Sequence, residues 1–159
     1  MKFGRALPLS LAFSLVLTLG VQVPASPAET KKLLWSQEFN SKAGTPISKS
    51  FWNYDLGDGT EAGIPGWGNG EREYYLSDAL KHDGKGSLVV TAKKMKVPAD
   101  GGVSKDNPYA CYYGTACEWT SGKITTLGKV GFQYGRIEAR IKMPKGVGMW
   151  PAFWMLGTD

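Results

Sequence analysis

The sequence predicts an all-β protein built from packed sheets, and three observations carry that reading. Beyond residue 28, apolar residues recur with a period of two far more often than with a period near 3.6. The apolar segments are short and end in Gly, Pro, Asn or Asp, and no amphipathic helix can be traced among them. Glycine, at 21 of 159 residues, stands at nearly twice its usual ~7% share without any Gly-X-Y period, so turns are frequent. Hydrophobic residues make up 42% of the chain against 21% charged, enough apolar surface to offset the ordering entropy of folding, which excludes a disordered tail.

The N-terminus stands apart. Lys2 and Arg5 precede an apolar run from Leu7 to Val21, followed by small residues in Val23-Pro24-Ala25 and Ser26-Pro27-Ala28. This predicts a secretory signal peptide over residues 1–28, cut after Ala25 or Ala28. Roughly 15 apolar residues fall short of the ~20 that a membrane-spanning helix needs. A secreted or periplasmic chain follows, with no membrane attachment after cleavage. Losing Lys2 and Arg5 lowers the net charge from +5 to +3. The remaining lysines are scattered, which removes the electrostatic case for nucleic-acid binding.

Strands are expected in chain order at 33–39, 72–76, 87–92, 122–127, 134–142 and 150–156. The segment 87–92 follows the turn Asp83-Gly84-Lys85-Gly86 and carries β-branched residues in place. In 134–142, Ile137, Ala139 and Ile141 share one face while Arg136, Glu138, Arg140 and Lys142 share the other, so one face is wet. Segment 150–156 is apolar throughout, which suits a strand covered on both faces or lining a cleft. Two packed sheets without repeats are the expected arrangement. Stopping directly after its most hydrophobic strand, the chain reads as cut off.

Residue types then narrow the chemistry. His82 is the single histidine, so a multi-histidine metal site is excluded and a Ser/His/Asp triad has only that base. Cys111 and Cys117, with five residues between them, suit a disulfide in an exported chain. The Gly-rich stretch Gly66-Trp67-Gly68-Asn69-Gly70 opens no helix and lacks Gly-Lys-Ser/Thr, so it does not cradle phosphate. It places an aromatic ring two residues from an amide, a pairing suited to sugars: the ring stacks on a sugar face and the amide bonds its hydroxyls. Trp150 and Trp154, two indoles in five residues, extend that pattern. Glu71 and Glu73 share a face if 72–76 is a strand, where a solvent-facing stripe beside Arg72 is the plain expectation. Asp55 and Asp58 are expected to close turns.

Five motifs in order, Trp35-Ser36-Gln37-Glu38-Phe39-Asn40, Gly66-Trp67-Gly68-Asn69-Gly70-Glu71 with Tyr74-Tyr75, Thr120-Ser121-Gly122-Lys123-Ile124, Tyr134-Gly135-Arg136-Ile137-Glu138-Ala139-Arg140 and Trp150-Pro151-Ala152-Phe153-Trp154-Met155-Leu156, resemble glycoside hydrolase family 16, in particular its bacterial laminarinases. The resemblance implies a concanavalin-like β-jelly roll, of which residues 29–159 would be the N-terminal part. It also implies retaining endo-hydrolysis of β-1,3-glucan or mixed-linkage β-glucan, by a monomer when full length. By motif position, Trp67 and Asn69 resemble the family's ring and amide on the non-reducing side, and Trp154 the platform beside the cleavage point, with Trp150 close by. Lys123 stands where laminarinases often have Arg, so the positive donor is kept and the bidentate fork lost. Glu71 is expected to brace its loop. Calcium, which some relatives bind through backbone oxygens, is implied only for the full-length protein, near Glu38 and Gly86, and no cofactor is expected for these residues alone.

The catalytic strand of the family reads Glu-x-Asp-x-Glu, or a bulged variant. Two places after each glutamate here stand Lys31, Asn40, Gly63, Glu73, Tyr75, Thr120 and Arg140, never Asp. Without paired carboxylates neither leaving-group protonation nor nucleophilic attack has an agent. The 159 residues alone are therefore expected to be inactive, with the catalytic pair downstream of Asp159. Alternatives are a glucan-binding protein of the same fold without the acid pair, or a relative acting on agar, carrageenan or xyloglucan.

Overall fold

A computed structural model describes residues 31–157; the expected signal peptide lies outside them. The chain divides into two units at Ser36. In the first, residues 31–36 form no regular element. The second, from Gln37 onward, contains seven short strands: β1 (Asn53–Asp55), β2 (Glu73–Tyr75), β3 (Leu80–His82), β4 (Leu88–Val90), β5 (Lys93–Lys94), β6 (Trp119–Ser121) and β7 (Lys123–Thr125). Among the described residues the helical pieces are short: the 3-10 turn Ser77–Ala79, and Pro65–Gly68, whose backbone turns left-handed at Gly66 and Trp67. The expected all-β class is borne out.

Among the described residues three small sheets form where two packed sheets were expected. The β3–β4 hairpin pairs Leu80 with Val90 and His82 with Leu88. Its turn is built by Asp83, whose Oδ1 accepts the amides of Lys85 (2.7 Å) and Ser87 (3.0 Å). In the second sheet β6 lies between β2, which runs parallel to it, and antiparallel β5. The third pairs β1 with β7 and sets Asp55 opposite Lys123. Gly122 alone separates β6 from β7, so one extended run serves two sheets and turns a corner there. A Cβ at Gly122 would stand 2.5 Å from the Leu80 side chain, so a bare backbone is what lets the hairpin pack against the corner. The core is small: Ile47, Tyr75, Leu80, Cys111, Ala116 and Cys117, with Asp58, His82, Asn107 and Thr120 as buried polar residues.

Several strand expectations fail. No strand forms at 33–39, 134–142 or 150–156, whereas β1, β3, β5 and β6 arise where none was expected. The alternation in 134–142 does not produce a buried face, since Ile137 and Ile141 are 45% and 51% exposed. Alternation makes a strand amphipathic only once a neighbour takes up its backbone hydrogen bonds, and among the described residues these segments have no sheet partner. Phe153, Met155 and Leu156 are accordingly exposed.

Candidate functional site

The site grows from the loop between β1 and β2. Beyond β1 the chain bridges to β2 at Gly57, which exchanges two backbone hydrogen bonds with Tyr75 (3.0 and 2.9 Å). The following turn is closed by Asp58, whose Oδ1 accepts the Thr60 amide at 3.0 Å. Gly66, Trp67 and Gly68 then all adopt positive φ, and this coil brings the Trp67 indole back over β2. Its Nε1–H donates to the Gly57 carbonyl at 3.2 Å, and its ring lies 6.0 Å from that of Tyr75.

Beneath the indole lies a charged network. Tyr75, only 8% exposed, places its hydroxyl 2.6 Å from Glu71 Oε2 and 2.9 Å from Glu73 Oε1, so one phenolic proton is shared between two carboxylates. Burial pushes the phenol far above its ordinary range, and its hydrogen bond to Glu71 and the charge of Glu73 add to the shift. Lys123 Nζ lies 3.8 Å from Glu71 Oε1, with both side chains largely covered. The same ammonium sits 4.1 Å from the Trp67 ring centre, 5.5 Å from that of Tyr75 and 5.9 Å from that of Trp154. A cation over aromatic faces is worth about 0.5–2 kcal/mol. Asp55, across the β1–β7 pair from Lys123, is pushed up by burial, with Lys123 opposing the shift and Glu71 adding to it.

Of the five residues expected to bind sugar, the structure thus gathers Trp67, Lys123 and Trp154. Asn69 is exposed on the Trp67 loop, where its backbone amide donates to the Gly66 carbonyl at 3.2 Å. Trp150 is 89% exposed and shares in none of these ring contacts. Glu71 and Glu73 do share a face, but it turns inward to Tyr75, so the solvent-facing stripe expected there is corrected. Asp55 lies in a strand and not in a turn, whereas Asp58 closes its turn as expected. Tyr75 escaped the sequence reading as the hub of the network. Its signal was the alternation Glu71, Glu73, Tyr75, which points three polar groups to one side of a strand.

Cys111 and Cys117 are joined in a disulfide. Near the expected calcium position, the Glu38 carbonyl oxygen and Asn40 Oδ1 stand 3.7 and 3.2 Å from where a Cβ on Gly86 would lie. Among the described residues no three His, Cys, Asp or Glu side chains gather as metal ligands. Indole faces beside an ammonium suit an uncharged polyhydroxylated ligand, which stacks through its C–H faces and hydrogen-bonds at its edges.

The model of the glycosyl hydrolases family 16 matches residues 75–159, more than half of the chain. The chain belongs to this family. It is similar to glucan endo-1,3-beta-glucosidase A1 of Niallia circulans, with 35% identity over 147 residues, 89% of this chain and 19% of that protein. It is also similar to the beta-glucanase of Rhodothermus marinus, with 32% identity over 149 residues, 91% of this chain and 44% of the relative. The chain therefore spans less than half of the length of either relative. Among solved structures, the laminarinase catalytic domain of Thermotoga maritima aligns at 36% identity and a TM-score of 0.48, over 65% of this chain and 35% of that one.

Proposed function

We propose that this chain is the sugar-binding N-terminal part of a secreted, retaining endo-β-glucanase that cuts β-1,3-glucan of the laminarin type or mixed-linkage β-glucan. The observation that carries the reading is the Lys123 ammonium set among the rings of Trp67, Tyr75 and Trp154. A β-linked glucose unit has flat C–H faces and an equatorial ring of hydroxyls. Indoles take the former and charged or amide donors the latter. Family membership and the activities by which the glucanase relatives are named support the substrate class. Glu71 and Glu73 are both bonded to one phenol, Glu71 also faces Lys123, and neither lies in a Glu-x-Asp-x-Glu sequence. On this reading the carboxylates that perform the hydrolysis lie outside these 159 residues.

Reducing ends released from laminarin, barley β-glucan, agarose and carrageenan by the product of the whole reading frame test the proposal. Release from laminarin or barley glucan with retained anomeric configuration is expected, while the 159 residues alone release nothing. Cleavage of agarose or carrageenan in place of glucan would overturn the substrate class. One observation favours a second reading, a non-catalytic glucan binder: none of the seven glutamates has Asp two places on. Laminarin bound but left uncut by the whole product would establish that second reading.

A further inference from the structure

Trp67 occupies φ 52°, ψ 27°, a left-handed backbone conformation that a bulky L residue avoids because its Cβ crowds the following carbonyl. Such a conformation persists only where the surroundings over-determine it, and here the holders can be named. The Gly66 amide donates to the Asp58 carbonyl at 2.8 Å, and the amides of Asn69 and Glu71 converge on the Gly66 carbonyl at 3.2 and 3.0 Å. Asp58 is 6% exposed, and both of its carboxylate oxygens are engaged: Oδ1 by the Thr60 amide, Oδ2 by the amide of Tyr112, 54 residues away. Tyr112 also covers Gly66, where a Cβ would stand 2.9 Å from its ring.

Tyr112 belongs to the loop closed by Cys111 and Cys117, and that loop is fixed independently of the Trp67 coil. Cys111 donates its amide to the Thr115 carbonyl and Cys117 to that of Tyr109, while the Asn107 side chain donates to the Cys117 carbonyl at 2.8 Å. The disulfide itself is buried.

We propose that Asp58 and Tyr112 are positioning residues for Trp67: the disulfide-closed loop, coupled through the Asp58 carboxylate and pressed on Gly66, holds the indole in the orientation that receives a sugar. Glucan affinity then depends on the Cys111–Cys117 bridge, for which no role in binding was expected. This inference rests on the reading of the Trp67 site as a glucan-binding one.

The test uses the full chain and two readouts, laminarin affinity and hydrogen exchange at single amides. In Asp58→Ala and in the double variant Cys111→Ser/Cys117→Ser, we expect laminarin affinity to fall at least tenfold and exchange at the Gly66 amide to rise at least tenfold. The His82 amide, bonded to the Thr45 carbonyl in the separate β3–β4 hairpin, should keep its protection. Tyr112→Phe retains the ring and the backbone amide and should match the parent chain, whereas Tyr112→Ala should follow Asp58→Ala. Variants that keep His82 protected and bind laminarin within twofold of the parent would overturn the proposal. So would a loss of protection at His82 together with Gly66, since the bridge would then support the whole fold and not the indole. If the parent chain itself fails to bind laminarin, the glucan reading falls, and unchanged Gly66 exchange in the variants would separately overturn the positioning role.

Discussion

Tyr75 shows how much one buried hydroxyl can organise. Its single proton lies between two carboxylates, and one of these, Glu71, orients the Lys123 ammonium on the Trp67 face. Tyr75→Phe removes the shared proton and leaves two part-buried carboxylates side by side, at a cost of about 1–3 kcal/mol for unsatisfied acceptors. The sign at alkaline pH follows from the raised phenol. The folded state keeps the proton while the unfolded chain releases it near the ordinary value of 10.0, so this contribution is complete below that pH and declines above it. Calorimetry from about pH 8 to about pH 11 should show the parent losing stability at the alkaline end. Tyr75→Phe should start lower and fall less steeply. Parallel curves for the two chains would contradict the assignment.

At the level of elements, the β3–β4 hairpin is held by the Asp83 turn and three paired residues, and Leu80 is its anchor. It is 1% exposed and packs on the bare backbone at Gly122, where β6 passes into β7. Leu80→Ala should cost about 2–4 kcal/mol, transfer loss and cavity together. It should also loosen the corner that presents Lys123, so thermal melting and laminarin affinity should fall together. The turn and second strand of this hairpin were legible in the sequence because their causes are local: Asp83 and the glycines beside it specify the turn, and β-branched residues follow at once, whereas the first strand, Leu80–His82, gave no such signal. The alternation of 134–142 was equally clear but formed no strand, since pairing partners are not encoded within the segment itself. The same limit governed the site. Trp67 and Trp154 could be picked out singly as sugar-binding types, and Lys123 by its motif position. Their meeting depended on the Gly122 corner and on the coil at Gly66, and neither periodicity nor composition reports these. Asp55 was misread because a Gly-rich neighbourhood suggests a turn, whereas its actual partner, Lys123, lies 68 residues away across β1–β7.

Across the described part of the second unit, the apolar core is small and buried polar links join distant segments, and acid pH should therefore reveal what holds them. Burial alone would raise the Asp58 carboxyl, but amides from Thr60 and Tyr112 outweigh it and hold the group below the usual carboxylate range. Its contribution is present above the unfolded value of 3.8 and is lost as pH falls through the lower folded value. Asp83, held low by the amides of Lys85 and Ser87 in the hairpin turn, has the same sign. Asp55 has the opposite sign: its raised carboxyl favours the folded state when protonated, so part of the acid loss is offset. Asp58, which links the Trp67 coil to the disulfide loop, therefore contributes to the acid limb together with Asp83. Asp58→Asn keeps one acceptor oxygen of two and should cost about 1–2 kcal/mol at neutral pH. Between about pH 5 and about pH 2 its stability should fall less than that of the parent, so that the two melting curves converge in acid. A constant gap across that range would assign the loss to the deleted hydrogen bond alone and remove Asp58 ionisation from the account of acid unfolding.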